Sequence, residues 1–222
     1  MSQTLSDKLA AFKAAFIQRA PEQIRQVIQQ ANDDLRAYGA LDRSVKVGDQ
    51  LAAFELPNQD GAIIRSDDLL ARGPLVLSFF RGVWCPYCNL ELEALGEIAG
   101  DLRALGANLV VISPQNAAKA AESRVKNRLD VDVLVDSGCD YAAKLGVSFT
   151  LPEHIQTIYR GFNIDLPTYN ANGDWRLPVP TRLIVMPTGR VVYAEIDVDY
   201  TNRPEPAATL AALKRELAAI QR

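Results

Sequence analysis

Two cysteines separated by two residues carry the clearest chemical signal in this chain. Cys85 and Cys88 lie between a mostly apolar segment, 75–80, and a helix-like stretch, 89–105. On the first turn of a helix this spacing places both sulfurs on one face, close enough to form a disulfide. The free N–H groups and the positive dipole end of a helix N-terminus favour a thiolate over a thiol. Pro86 suits the first helical position because its missing N–H has no intrahelical partner to lose. The pattern therefore indicates thiol redox chemistry.

The third cysteine and the single histidine add little to this chemistry. Cys139 stands alone, and three cysteines are too few for the disulfide framework of a secreted domain. We expect Cys139 to be a small buried hydrophobic residue, with a second resolving thiol as the alternative. A metal site would need His154 and all three cysteines to converge, at spacings unlike those of structural zinc sites, so we expect none. No phosphate loop or dinucleotide fingerprint occurs in the sequence, and we expect no cofactor.

The composition excludes several classes of partner. The chain has 222 residues, is 48% hydrophobic and carries a net charge of -3, so it offers no basic stripe for nucleic acid or an anionic membrane. No apolar run approaches the roughly 18 residues needed to cross a bilayer. The N-terminal apolar stretch, 9–17, is interrupted by Lys13 and lacks a cleavage site. We therefore expect a cytoplasmic protein.

The elements that position the two cysteines alternate along the chain between strands and helices. A hairpin region is predicted at 45–65, and a second hairpin pairs 182–186 with 191–197. The alternating part predicts strands at 75–80, 108–113 and 131–135, and helices at 85–105, 115–128, 139–145 and 207–220. This alternation predicts an α/β fold with a central sheet flanked by helices.

Two segments stand outside this alternation. Residues 5–38 have apolar side chains at helical spacing, interrupted at Pro21, and predict two amphipathic helices. We divide the chain into an N-terminal helical extension, 1–44, and a domain, 45–222. The extension either packs on its own domain or forms a homodimer interface. The long aromatic segment 149–180 predicts a lid, a binding loop or an interface element, or else a surface excursion packed by its own aromatics.

A second motif lies far from the cysteines. Val179-Pro180-Thr181, just before the predicted strand 182–186, resembles the cis-proline loop of the thioredoxin fold. In that fold the loop lies against the mouth of the Cys-x-x-Cys helix, so the resemblance implies that Pro180 and Thr181 support the site. It also implies a cis bond between Val179 and Pro180, a state that only about 5–6% of X–Pro bonds adopt in folded proteins.

The finer resemblance, over residues 45–220, is to peroxiredoxin-like members of the alkyl hydroperoxide reductase/thiol-specific antioxidant (AhpC/TSA) family. It is carried by three short motifs near the start of the domain and by two segments that resemble one subgroup. These are Val47-Gly48-Asp49, Phe54-Glu55-Leu56 and Asp60-Gly61, followed by residues 81–88 and 199–204. The resemblance implies a thioredoxin-like fold and a peroxidase that attacks hydroperoxides through cysteine.

The active-site motif departs from that of the family. Peroxiredoxins carry Pro-x-x-x-Thr-x-x-Cys, and here Cys88 takes the place of the attacking cysteine, Cys85 that of the threonine and Arg81 that of the proline. The family's remote arginine would fall near Pro180. The family motif implies that Cys88 attacks and Cys85 resolves, whereas the thioredoxin pattern makes Cys85 the nucleophile. Both orders end in a Cys85–Cys88 disulfide.

Several neighbours are candidates for supporting roles. Arg81 either supplies the missing positive charge or is a solvated loop residue. Arg182 follows the proline loop, and we expect it at the surface. Trp84 and Tyr87 are predicted to wall the site, with core packing as the alternative for Trp84.

Three functions remain open. The first is a thiol peroxidase for hydrogen peroxide or organic hydroperoxides, regenerated by a thioredoxin- or glutaredoxin-type donor. The second is a dithiol–disulfide oxidoreductase that acts on protein disulfides. The third is a redox-sensing interaction module with a decayed peroxidase site, which the absence of the remote arginine suggests.

Overall fold

The computed structural model describes residues 3–37, 39 and 41–220. Three parts of the predictions lie outside the described residues. They are the first residues of the helical extension, 1–2, the last residues of the domain, 221–222, and the predicted end of the second helix at 38. The core is a five-stranded mixed sheet with strand order β5-β4-β3-β8-β9. Its strands are β3 (Leu75–Phe79), β4 (Asn108–Ser113), β5 (Asp132–Val135), β8 (Thr181–Val185) and β9 (Val191–Ile196). The predicted α/β fold with a central mixed sheet is confirmed.

The sheet has parallel and antiparallel parts. β3, β4 and β5 run parallel, while β8 is antiparallel to both β3 and β9. Two small hairpin sheets flank it, built from β1 (Glu55–Pro57) with β2 (Ile63–Arg65) and from β6 (Ser148–Thr150) with β7 (Arg176–Pro178). In the main sheet Phe79 pairs with Thr181. This register brings the chain that leaves β3 toward the cysteines next to the chain that enters β8 from Pro180.

Helices cover both faces of the sheet, which explains why β3 and β8 are buried along their whole length and are mostly apolar. The helices are α1 (Leu5–Arg19), α2 (Glu22–Ala37), α3 (Ser66–Leu70), α4 (Pro86–Ala104), α5 (Ala117–Lys126), α6 (Asp140–Lys144), α7 (Glu153–Gly161), α8 (Leu166–Tyr169) and α9 (Pro206–Ile220). A short 3-10 turn, Ser137–Cys139, precedes α6. α1 and α9 both pack on α4. Among the described residues, no helix is both long enough and apolar enough to span a bilayer.

The two predicted N-terminal helices form and pack on their own domain. Thr4 begins α1 with a capping box, in which its side chain accepts from the Asp7 N–H and the Asp7 carboxylate accepts from the Thr4 N–H. Leu5 and Leu9 are buried in the core that contains α4. α2 has no buried residue and contacts α7. A homodimer interface in this region, and the division at 44/45, stay predictions.

The aromatic segment 149–180 is not a single loop. It contains the β6–β7 hairpin with α7 and α8, held by a small apolar core of its own that includes Ile155, Leu166 and Leu177. Tyr159 belongs to this core and also packs edge-to-face on Trp84, with ring centroids 5.6 Å apart. The segment therefore has its own packing and lies against the loop that leads to the cysteines.

The expected cis bond at Val179–Pro180 is wrong, because no cis peptide occurs among the described residues. The chain runs extended from β7 into β8. The Val179 N–H donates to the Val147 carbonyl at 2.7 Å, and the Thr181 hydroxyl donates to the Val179 carbonyl at 2.9 Å. These bonds fix the residues on either side of Pro180.

Candidate active site

The loop from β3 to α4 places both cysteines at a helix N-terminus. Cys85 is the N-cap of α4, with φ -89° and ψ 113°, and Pro86 is the first helical residue. The Cys85 N–H closes a turn onto the Gly82 carbonyl at 3.0 Å. Gly82 has φ +151°, and a Cβ there would collide with the Trp84 indole, so this turn requires glycine. Cys88 follows on the first turn of the helix.

Both thiols are free and buried, with relative exposures of 1% for Cys85 and 0% for Cys88. The Cys88 sulfur accepts two hydrogen bonds at 3.5 Å, from the Arg81 backbone N–H and from a guanidinium nitrogen of Arg203. Donors of this kind stabilise negative charge on sulfur. The two donors therefore favour negative charge on the Cys88 sulfur, while its burial opposes that charge.

Three arginines and a glutamate are buried around the cysteines. Glu91, one helical turn beyond Cys88, bridges Arg182 and Arg203 with both contacts at 2.5 Å. The expectation that Arg182 lies at the surface is wrong, because it has 0% exposure. In the sheet it pairs with Ser78, and Glu91 lies within hydrogen-bond reach of both side chains. The face of the sheet that α4 covers thus contains a polar cluster within the apolar core.

Arg81 is the third buried arginine, and the alternative of a solvated loop residue is wrong, because its exposure is 2%. Its guanidinium carbon lies 3.9 Å from the ring centre of Tyr200 and 4.8 Å from that of Trp84. One terminal nitrogen donates to the Tyr159 hydroxyl. The Nε and the other terminal nitrogen have no hydrogen-bond partner in the structure. Arg81 is therefore a fixed cation with N–H groups available to a ligand.

The buried charges shift the titration of the thiols. Burial disfavours the Cys85 thiolate, but the Cys88 hydrogen bond and the charges of Arg81 and Arg203 outweigh it and lower the pKa of Cys85 to about 6. Burial, the hydrogen bond to Cys85 and the Cys85 charge raise the pKa of Cys88 well above its usual value. The two thiols therefore titrate as a coupled pair, in which the pKa is lowered at Cys85 and raised at Cys88.

An apolar cavity of about 370 Å³ opens at Cys85. Arg81, Trp84 and Tyr87 line it together with Cys85, whereas Cys88 is not part of its lining. Pro180 does not line this cavity. It lines a second cavity together with Arg81, and it also lines a polar cleft together with Thr181 and Arg203. The two residues of the proline loop thus lie at the arginine cluster.

Four residues of this site were not identified from the sequence. They are Glu91, Tyr159, Tyr200 and Arg203. Tyr200 and Arg203 belong to the segment 199–204, which carries part of the family resemblance. That resemblance was the signal by which both residues could have been identified. Glu91 lies three residues after Cys88 and so shares its helix face. Tyr159 has no local signal, because only the packing of the aromatic segment brings it to Arg81.

The other candidate ligands lie apart from the cysteines. Cys139 is fully buried in the apolar core on the opposite face of the sheet, away from the one that contains Cys85 and Cys88. Burial raises the pKa of the Cys139 thiol. Within 3–37, 39 and 41–220, no group of three or more His, Cys, Asp or Glu side chains is placed to hold a metal ion.

Comparison with known proteins gives one consistent result. The profile of the AhpC/TSA family matches residues 47–194. A Mycobacterium tuberculosis protein (strain H37Rv) that carries the provisional name of peroxiredoxin is 35% identical over 103 residues, which make up 46% of this chain and 67% of that protein.

Solved structures agree. Peroxidoxin BcpB from Mycobacterium tuberculosis is 26% identical with a TM-score of 0.59, covering 77% of this chain and 97% of that one. A mutant of the Peroxiredoxin 6 of Arenicola marina shares the fold at 16% identity, with a TM-score of 0.64 over 81% of this chain and 76% of that one. The chain therefore belongs to the AhpC/TSA family and is a peroxiredoxin-like protein with the thioredoxin-like fold.

Proposed function

We propose that this protein is a thiol peroxidase whose redox centre is the pair Cys85 and Cys88. Membership of the family supports peroxidase chemistry in general. The observation that carries the specific assignment is the site itself. An ionisable Cys85 lies at the end of a cavity, beside the unpaired N–H groups of Arg81 and in contact with a second thiol. This arrangement supplies a nucleophile, a donor for the leaving oxygen and a resolving thiol.

We assign the first step to Cys85, in the order suggested by the thioredoxin pattern. Its thiolate attacks one oxygen of the hydroperoxide, the O–O bond breaks, and the sulfur becomes a sulfenic acid while the alkoxide or hydroxide takes up a proton. Two observations favour Cys85 over Cys88. Its pKa of about 6 leaves it mostly ionised at neutral pH, and Cys85 lines the cavity whereas Cys88 does not.

Arg81 is placed to assist this step. Its Nε and one terminal nitrogen are buried and have no partner among the described residues, and Arg81 lines the same cavity as Cys85. Charge develops on the leaving oxygen as the O–O bond breaks, and a fixed guanidinium in a buried site stabilises it with little reorganisation. The aromatic rings of Trp84 and Tyr200 hold the guanidinium in position.

The second step uses Cys88. While Cys85 is a thiolate, its charge raises the pKa of Cys88. Oxidation of Cys85 to the sulfenic acid removes that charge, and Arg203 and the Arg81 N–H then favour ionisation of Cys88. The Cys88 thiolate attacks the Cys85 sulfur, water leaves and the disulfide forms. The charge lost at the first sulfur thus activates the second.

The two alternative functions have less support. Cys85 and Cys88 are 1% and 0% exposed, so a protein disulfide would reach them only after the first turn of α4 has opened, whereas a hydroperoxide is small enough to enter the cavity that Cys85 lines. The suggestion of a decayed site depended on the absence of the family's remote arginine. Arg203 provides a guanidinium at the Cys88 sulfur from another part of the chain.

The rest of the proposal concerns turnover. A thioredoxin- or glutaredoxin-type donor would reduce the disulfide once the first turn of α4 has opened, and these steps need no cofactor. A cytoplasmic location, where such donors operate, fits this cycle.

The test is stopped-flow reaction of the reduced protein with hydroperoxides, followed by intact mass and peptide mapping. We expect oxidation much faster than that of an unactivated thiol, with loss of two hydrogens at the Cys85–Cys88 pair. A rate no better than that of a free thiol would overturn the assignment. Rapid exchange with a protein disulfide substrate, together with slow reaction with every peroxide, would favour the oxidoreductase.

A further inference from the structure

The N-terminal arm, defined here as α1 and α2, contributes part of the lining of the cavity at Cys85. Phe12 and Phe16 of α1 and Ile28 of α2 line it, opposite Trp84 and Tyr87 of the cysteine loop. The arm contributes aromatic and aliphatic groups to the cavity, and the family profile, which matches 47–194, does not include it. Part of the surroundings of Cys85 therefore comes from outside the range that the family profile matches.

The arm is held firmly in this position. Phe12 packs edge-to-face on Tyr87 with ring centroids 5.1 Å apart, and Phe16 packs in the same way on Phe162 at 6.4 Å. Lys13 forms an ion pair with Asp199 at 3.2 Å.

The first turn of α1 is fixed as well. The carboxylate of Glu205 accepts hydrogen bonds from the backbone N–H groups of Leu5 and Ser6. Asp199 and Glu205 flank the segment that carries Tyr200 and Arg203. The arm is thus attached to the same segment that supplies two groups of the redox site.

We infer that the N-terminal arm forms the substrate pocket and selects bulky apolar hydroperoxides, aryl or branched alkyl, over hydrogen peroxide. This inference rests on the proposed peroxidase function and specifies its substrate. The apolar body of the substrate lies among Phe12, Phe16 and Ile28. Its hydroperoxide group points at Cys85 and Arg81, the polar end of the cavity.

The size of the cavity supports this choice. At about 370 Å³ it falls within the range of small-molecule sites, roughly 300–1,000 Å³. Hydrogen peroxide is little larger than water, whose share of liquid volume is about 30 Å³, so it would leave most of the cavity without contacts. An apolar substituent fills the space and removes both its own surface and the aromatic walls from water.

Phe16→Ala tests the role of the arm, and Ile17→Ala is its matched control. Phe16 lines the cavity, whereas Ile17, the next residue on the same helix, does not and is 45% exposed. The measurement is kcat/KM for cumene hydroperoxide, tert-butyl hydroperoxide and hydrogen peroxide, with the same electron donor throughout. Phe16→Leu repeats the test with a smaller change in packing.

We expect the wild-type protein to prefer cumene hydroperoxide over hydrogen peroxide by about tenfold or more. Phe16→Ala should lower kcat/KM for cumene hydroperoxide by about tenfold and leave the value for hydrogen peroxide within about twofold. Phe16→Leu should fall between, and Ile17→Ala should match the wild type. Equal wild-type values for all three peroxides, or an equal loss on all three in Phe16→Ala, would overturn the inference while leaving the peroxidase intact. Slow reaction of the wild type with every peroxide would overturn both.

Discussion

Replacing Arg81 by methionine tests the electrostatic basis of the proposed mechanism. Arg81 is 2% exposed, and its charge is among the causes that lower the pKa of Cys85 from 9.0 to about 6. Methionine keeps much of the apolar stem of arginine and removes the guanidinium. We therefore expect the pKa of Cys85 to rise in Arg81→Met, and the pH at which the peroxide reaction is half-maximal to rise with it.

The size of the effect can be bounded. At pH 7 a thiol with a pKa of about 6 is roughly nine-tenths ionised, whereas one at the ordinary 9.0 is roughly one-hundredth ionised. Complete loss of the shift would thus slow the reaction at pH 7 by about ninety-fold through ionisation alone. Since Arg203 also lowers the pKa, we expect a smaller loss from this cause.

The plateau of the profile at high pH reports a different quantity, because Cys85 is fully ionised there in both proteins. Loss of the donors to the leaving oxygen should lower this plateau by a factor on the order of 100. The assay is the stopped-flow rate of peroxide oxidation from about pH 5 to about pH 10, combined with thiolate absorbance to measure the pKa directly.

Two control variants accompany this test. Arg81→Lys keeps the charge and should retain most of the shift in the pKa of Cys85. Its plateau rate at high pH should be lower than that of the wild type, because lysine lacks the planar fork of donors. Arg103→Met removes an arginine at the surface, whose side chain is 64% exposed, and should match the wild type. A profile of Arg81→Met that superimposes on that of the wild type, in both midpoint and plateau, would refute the role given to Arg81.

Three further predictions concern the remaining polar groups. Cys88→Ser should still react rapidly with one equivalent of peroxide but stop at a sulfenic acid on Cys85, which a dimedone-type reagent traps. Cys85→Ser should lose the rapid reaction. The opposite result would reverse the proposed order of the thiols. Glu91→Ala should lower the free energy of unfolding in urea by about 3–5 kcal/mol, because it leaves two buried guanidiniums without their carboxylate. Glu93→Ala, on the exposed side of the same helix, is its control, and equal losses in the two variants would argue against the buried network. Cys139→Ser should leave peroxide turnover within about twofold of wild type, because Cys139 lies on the other face of the sheet. Loss of turnover with the fold intact would instead support the alternative in which Cys139 is a second resolving thiol.

The features that could be predicted from the sequence are those that depend on neighbouring residues. The strand before Cys85, the proline at the first helical position and the spacing to Cys88 are local, and they indicate a redox pair at a helix N-terminus. Alternating apolar segments likewise predict the sheet, because each strand and helix must bury its own apolar face. The resemblance then led to the family, which the profile match over 47–194 confirms.

The tertiary structure decided the rest. Arg203 lies 115 positions from Cys88 along the chain, and only folding brings its guanidinium to that sulfur. Arg182 interrupts a strand that is otherwise mostly apolar, and its burial depends on the register with Ser78 and on Glu91 from α4. None of these features has a local signature.

The sequence by itself therefore determined the pair of cysteines at a helix N-terminus and the fold that carries it, because helix capping, residue spacing and apolar periodicity act over a few residues. Only the tertiary structure decided the direction in which the pKa of each thiol shifts and which residues surround it. A pKa depends on the distance to each charge and on the exclusion of water, and both quantities exist only after the arm, the aromatic segment and Arg203 have packed around Cys85 and Cys88.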